Sequence, residues 1–273
     1  MCSLRSLSAA IVPALMVVVL LVLAVTDGGA GTPSASPATA GKGPLLDTPP
    51  QLESAPAATA AGETGEAPAA ADPDRVEPVR RLGAVVTERT ELRRTPSENG
   101  KVVTMIKTRT KFGSKNELAV VARKGEWLGV LHQAVAGGKA GWIKASAARL
   151  EERPYEIVVN RAKLRATVLH DGKVVTQFKV GVGRAGHKTP VGRYAITDSL
   201  KGFGPYGCCI LAITARQPNL PQGWSGGDRI AFHGGPSWRV GIRTTTGCMT
   251  VRDTMMRKLI RRIHLGTRVT IKA

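Results

Sequence analysis

Acidic residues are scarce in this chain: 20 Asp and Glu stand against 39 Lys and Arg over 273 residues, a formal charge of +19. Aromatic side chains are scarcer still, at 4%. No stretch interleaves aromatic with basic residues as a platform for stacking bases requires, so the charge does not point to nucleic acid. Cysteine is also too sparse for a disulfide scaffold. Cys2 stands ahead of the apolar N-terminal run, where a lipid-bearing cysteine would follow it. That leaves Cys208, Cys209 and Cys248, an odd set. The adjacent pair can close only as a strained vicinal bridge, or one of them can pair with Cys248. The expectation adopted is that Cys208 and Cys209 are small buried hydrophobes in the strand-like run GCCILAI. Cys208, Cys209, His233 and Cys248 do not have the spacing of a common zinc site, so neither a metal nor a cofactor is expected.

Long apolar runs are absent except for one. Arg5 precedes residues 9–25, which are almost wholly apolar and are followed by Gly28, Gly29 and Ala30. Residues 1–30 read as an export signal, either a cleaved signal peptide or a membrane anchor. Either form places the rest of the chain outside the cytoplasm, in the periplasm or cell wall. Residues 31–77 are rich in Ala, Pro, Gly, Ser and Thr and, apart from Val76, hold no aromatic residue, Val or Ile. Such a segment offers too little apolar surface to offset chain entropy and reads as a disordered linker.

The charge is uneven. Residues 1–77 carry 3 Lys/Arg and 8 Asp/Glu, residues 78–150 carry 15 and 5, and residues 151–273 carry 21 and 7. A cationic folded part that has been exported meets lipid head groups, anionic wall polymers and the carboxylates of peptidoglycan stem peptides, so an anionic wall or membrane surface is the expected environment.

Two folded segments are expected, both mainly β. In residues 78–150, short apolar runs at 84–86, 102–106, 118–121, 127–131 and 141–143 are separated by turns. The pieces ELRRTPSENGKVVTMIKTRTKF, GEWLGVL and AGWI resemble bacterial SH3-like domains, which implies a small β-barrel that binds or positions at the wall. In residues 151–273, strands are expected at 155–159, 164–169, 173–182, 193–197, 210–214, 229–233 and 267–272. Asp171-Gly172 between two apolar runs is a type I′ hairpin signal. One helix is expected, capped by Asp253, with Met256, Leu259, Ile260 and Ile263 on its apolar face and Arg257, Lys258, Arg261 and Arg262 elsewhere.

The chemistry-bearing stretch is IAFHGGPSWRVGIRTTTGCMTV, residues 230–251. A strand ends in His233, and a loop rich in Gly and Thr leads to Cys248. A thiol becomes a good nucleophile when its pKa is lowered or a base removes its proton, and a nearby imidazole can do both. The imidazole must be held in one tautomer. No Asp or Glu lies close to His233 in sequence, so a backbone carbonyl near Gly234 is expected to do this. Gly247 lets the chain turn so that the amides of Thr246, Gly247 and Cys248 can converge as an oxyanion hole.

His233-Gly234 and Thr245-Thr246-Gly247-Cys248 resemble the active-site pattern of the L,D-transpeptidases, the YkuD-type catalytic domain. FKVGVGR (178–184), TPVGRY (189–194) and HLGTRVTI (264–271) follow the family's order, and the resemblance covers about residues 154–272. It implies an L,D-transpeptidase-type β-sandwich with one helix, acting as a monomer on peptidoglycan stem peptides. In the implied reaction Cys248 is nucleophile and His233 base. A tetrapeptide stem loses its terminal D-Ala and forms a Cys248 thioester, which an amine acceptor or water then resolves, giving transpeptidation or L,D-carboxypeptidase action. Thr245, Arg239 and Arg243 are the expected substrate contacts, the arginines through substrate carboxylates. Two positions depart from the family: Thr246 stands where many members have His, and Thr250 where they have Arg. A non-catalytic peptidoglycan-binding wall protein is therefore the competing expectation.

Overall fold

The computed structural model describes residues 75–217, 219 and 228–273. The expected signal or anchor and almost all of the linker lie outside the described residues. Among those described, no helix is long and apolar enough to cross a membrane.

The first part is a seven-stranded sheet: β1 (Glu77–Val86), β2 (Thr90–Arg93), β3 (Val102–Ile106), β4 (Glu117–Lys124), β5 (Trp127–Leu131), β6 (Gly141–Lys144) and β7 (Ala148–Glu152), in spatial order β3-β2-β6-β5-β4-β1-β7. Its alternating apolar residues enclose one core, led by Leu92, Ile106, Leu118, Leu128 and Ile143, each no more than 1% exposed.

The second part is an eight-stranded sheet with a short two-stranded annex. Its strands are β8 (Tyr155–Asn160), β9 (Arg165–His170), β10 (Lys173–Lys179), β11 (Val182–Gly183), β12 (Gly192–Lys201), β13 (Cys209–Arg216), β14 (Arg229–His233), β15 (Arg243–Thr245), β16 (Met249–Thr250) and β17 (Arg268–Lys272). The large sheet runs β10-β9-β8-β17-β12-β13-β14-β16, and β11 pairs with β15. Asp171 and Gly172 both take positive φ, 49° and 79°, as a two-residue type I′ loop requires, and join β9 to β10 with Lys173 opposite His170.

β12 is the hinge of this layer. Residues 192–195 pair with β17 while 196–201 pair with β13, and the register shifts between Ile196 and Asp198. The sheet thus folds into two halves around one core, which gathers Ile157, Val159, Val168 and Phe178 from one half and Leu211, Ile213, Ile230 and Phe232 from the other. The one α-helix among the described residues, α1 (Asp253–Ile260), adds Met256 and Leu259, with Ile263 just beyond it, to the same core. Its basic residues stay outside.

The two parts share packing. Ala119, Val121 and Leu131 form a cluster with Ala195 of β12, and Thr110 donates to buried Asp198 at 2.5 Å. Arg153, 5% exposed, lies between them: Nε donates to the Leu265 carbonyl at 2.7 Å, and Nη2 to Glu117 and Glu151 at 2.6 and 2.9 Å.

Candidate active site

β14 and β16 run parallel, with Phe232 opposite Met249 and His233 opposite Thr250. One register step back sets Cys248 opposite Ala231. Side chains alternate along a strand and paired residues share a face, so Ala231, His233, Cys248 and Thr250 project on one side, while Phe232 and Met249 enter the core on the other. Cys248 packs there with Ile210, Ala212, Ala231 and the overlying Tyr206. The long loop in the sequence is thereby cancelled: strand pairing brings together residues that the chain separates.

His233 is 4% exposed. Its Nδ1 lies 2.5 Å from the Gly234 carbonyl oxygen. A carbonyl only accepts, so Nδ1 carries the proton and the Nε2 lone pair is left for another donor. The Tyr206 ring meets the imidazole edge-on, with centroids 4.9 Å apart. Burial holds the His233 pKa below the usual imidazole value and Arg239 pushes the same way, while the Gly234 hydrogen bond and Asp253 oppose them.

Cys248 is 8% exposed, and burial pushes its thiol up to about 11, against a smaller opposite effect of a backbone hydrogen bond from Ala231. A lowered thiol pKa, one of the two routes to activation, is therefore not what this environment produces. Both partners are neutral near pH 7, and what remains is removal of the thiol proton by a base at the moment of attack.

The loop before Cys248 is tightly braced. Gly247 takes φ 118°, and a Cβ there would lie 2.9 Å from Ile230 Cδ1, so the position requires glycine. The Gly247 N–H donates to Thr245 Oγ1 at 3.2 Å, and that hydroxyl donates to the Cys248 carbonyl at 2.6 Å. Two expectations change as a result. Thr245 is buried with its hydroxyl used inside the loop, so it holds the turn and is not turned toward a substrate. The Gly247 amide is occupied and leaves the expected oxyanion set. The amides of Thr246 and Cys248 have no protein acceptor among the described residues.

Thr189, from TPVGRY, is fully buried beneath this loop. Its hydroxyl donates to the Gly247 carbonyl at 2.8 Å and accepts the Gly183 N–H at 2.9 Å. The motif was visible in the sequence, but nothing local to it shows that its hydroxyl reaches 58 residues ahead. Tyr206 was missed altogether, since no spacing signal ties it to His233.

The two arginines separate. Arg243 donates to the carbonyls of Arg161 and Ala162 at 3.3 and 3.1 Å, so its guanidinium is engaged on a neighbouring turn. Arg239 stacks over exposed Trp238 at 4.8 Å and acts electrostatically on His233. Thr250 is fully buried, and its hydroxyl has no partner among the described residues. Cys208 and Cys209 form a vicinal disulfide, which corrects the reading of two separate thiols. The turn at Gly207, φ 62°, leaves Cys208 outside β13, so strand alternation does not send the sulfurs to opposite faces.

The sequence of residues 154–271 matches the family model of the YkuD L,D-transpeptidase catalytic domain. These residues belong to that family. The chain is 27% identical over 135 residues to the probable L,D-transpeptidase ErfK/SrfK of Escherichia coli K12, covering 42% of this chain and 43% of that protein. It is also similar to the solved structure of Bd1075 from Bdellovibrio bacteriovorus, at 28% identity over 44% of this chain and 48% of that one, with a TM-score of 0.35. L,D-transpeptidase 3 of Mycobacterium tuberculosis aligns at 13% identity over 49% and 74% of the two chains, with a TM-score of 0.38. The chain thus spans less than half the length of the curated relative it matches. The seven-stranded first part lies outside the matched residues, and its likeness to SH3-like domains stays an expectation.

Proposed function

We propose that this L,D-transpeptidase domain is a cysteine acyltransferase of peptidoglycan, with Cys248 as nucleophile and His233 as general base. The observation that carries the reading is the shared sheet face of Cys248 and His233, with the Gly234 carbonyl fixing the imidazole so that Nε2 is the basic atom. Nε2 takes the thiol proton as Sγ bonds to the carbonyl carbon that precedes the terminal D-Ala of a tetrapeptide stem. The amides of Thr246 and Cys248 stabilise the oxyanion. Collapse breaks the carbon–nitrogen bond, the imidazolium returns its proton to the leaving amine, and D-Ala departs from a Cys248 thioester. An amine of a second stem then attacks the thioester carbon and His233 accepts its proton; the carbon–sulfur bond breaks, the imidazolium returns the proton to Cys248 Sγ, and a new amide is released, or the tripeptide carboxylate where water attacks instead.

Arg239 is the residue of the pair placed to attract a substrate carboxylate, and Thr246 lines the oxyanion side. The domains follow the same plan: an export segment at 1–30, a linker at 31–77, an SH3-like wall-directed module at 78–150 and the catalytic domain at 151–273, working outside the cytoplasm. A non-catalytic wall binder is the reading that the raised Cys248 thiol favours. Incubating the full chain with disaccharide tetrapeptide and separating products by mass spectrometry decides between them. Cross-linked dimer or tripeptide, absent in Cys248→Ala, supports the enzyme, while bound but unchanged substrate supports the binder.

A further inference from the structure

Asp253 is the first residue of α1, where an acidic side chain ordinarily favours the helix dipole or caps the free amides. The N-cap position is held by Arg252, whose side chain makes no cap, and the Asp253 carboxylate bonds outside the helix. Its Oδ1 accepts the N–H of Gly235 at 3.0 Å. The fit is close: a Cβ added at Gly234 would lie 1.9 Å from that oxygen, and one at Gly207 2.3 Å from it. The carboxylate therefore fills a notch between two glycines. One belongs to the segment that leaves His233, and the other immediately precedes the Cys208–Cys209 disulfide.

Gly234 is also the residue whose carbonyl holds His233 Nδ1. Its own N–H donates to the Cys209 carbonyl at 3.1 Å, and the next N–H, that of Gly235, is held by Asp253. The peptide that orients the imidazole is thus fixed on both sides. The charged groups acting on the imidazole are Arg239 and Asp253, of opposite sign, and its titratable neighbours are Tyr206 and Cys248. Any imidazolium formed as the thiol proton moves is buried, and Asp253 is the carboxylate that favours it.

We propose that Asp253 is a positioning residue for His233: its carboxylate fixes the Gly234–Gly235 segment that orients the imidazole, and its charge stabilises the imidazolium formed during acyl transfer. It fills, through a backbone turn and from a distant helix, the place that a directly bonded carboxylate takes in other nucleophile–base pairs. The inference rests on His233 being the base.

The test measures the rate of Cys248 alkylation by iodoacetamide against pH, with thermal melting in parallel, for the full chain and its His233→Ala, Asp253→Asn and Asp253→Ala variants. Wild type reacting no faster than His233→Ala removes the base itself, and the reading of the site fails before Asp253 is reached. Where the rate does depend on His233, Asp253→Asn keeps an oxygen acceptor for Gly235 and melts close to wild type. Its rate near pH 7 falls, and the acid limb of its profile moves to lower pH, because the group favouring imidazolium is gone. Asp253→Ala loses the contact as well and slows alkylation on the order of tenfold. Profiles superimposable on wild type overturn the proposal. So does a loss of rate that only follows the loss of folded protein, with the pH profile unmoved.

Discussion

At the scale of single residues, the site is built from groups whose ordinary properties burial has altered. Thr250 stands beside His233 with a hydroxyl that is fully buried and unpartnered among the described residues. A buried hydroxyl without a hydrogen bond costs about 1–3 kcal/mol, so Thr250→Val is expected to stabilise the fold by about 1 kcal/mol in urea unfolding. Thr189 is the opposite case. Thr189→Val leaves the Gly183 N–H and the Gly247 carbonyl unpaired in the interior and is expected to cost about 2–4 kcal/mol, with slower acylation of Cys248 because the loop that carries it is freed. His132 is 9% exposed, and burial, reinforced by Arg229, lowers its pKa to about 4. The unfolded chain binds this proton below about pH 6.5 and the folded chain only near 4. Its contribution is complete above pH 6.5 and is lost as pH falls toward 4. The urea midpoint should drop over that interval, and His132→Asn, which keeps an acceptor for the Ala134 N–H, should flatten the drop.

Among the elements, the short helix has the simplest energetics. α1 spans only Asp253–Ile260, too short to persist by itself, and is held by Met256 and Leu259 in the core. Met256→Ala should cost about 2–5 kcal/mol. Circular dichroism on urea titration would show it, and Asp253 would be loosened with the helix. Much at this scale was legible in the sequence. The Asp171-Gly172 hairpin, the strand ending at His233 and the helix face all follow from local periodicity and turn chemistry, which neighbouring residues determine. The acceptor for Nδ1 was foreseeable because the sequence around His233 holds no acid. Other features depend on residues far apart in the chain. The Thr189 bridge, the packing of Tyr206, and the direction of Asp253 toward Gly235 and away from the helix amides arise from sheet order, which periodicity does not encode. Thr245 was closer to legible: a threonine two residues before a glycine can bond its own backbone, whereas the raised thiol follows from the packing of Cys248 against Ile210, Ala212 and Ala231.

On the scale of the whole molecule, the seven-stranded part meets β12 through Ala195 and the Thr110–Asp198 hydrogen bond, and Arg153 ties it to Leu265 ahead of β17. Arg153→Ala removes the partner of Glu117, leaves Glu151 with Arg149 alone and strips the Leu265 carbonyl of its donor. Breaking a buried pair from one side costs about 3–5 kcal/mol, and a drop in melting temperature should report it.

The account stands most directly on the covalent intermediate. Intact-mass spectrometry of the full chain, quenched shortly after mixing with disaccharide tetrapeptide, should find an adduct equal to the substrate less D-Ala. Peptide mapping should place it on Cys248, with none in Cys248→Ala and far less in His233→Ala. Folded protein that binds the tetrapeptide with Cys248 unmodified, or an adduct that forms equally well without His233, would contradict the account.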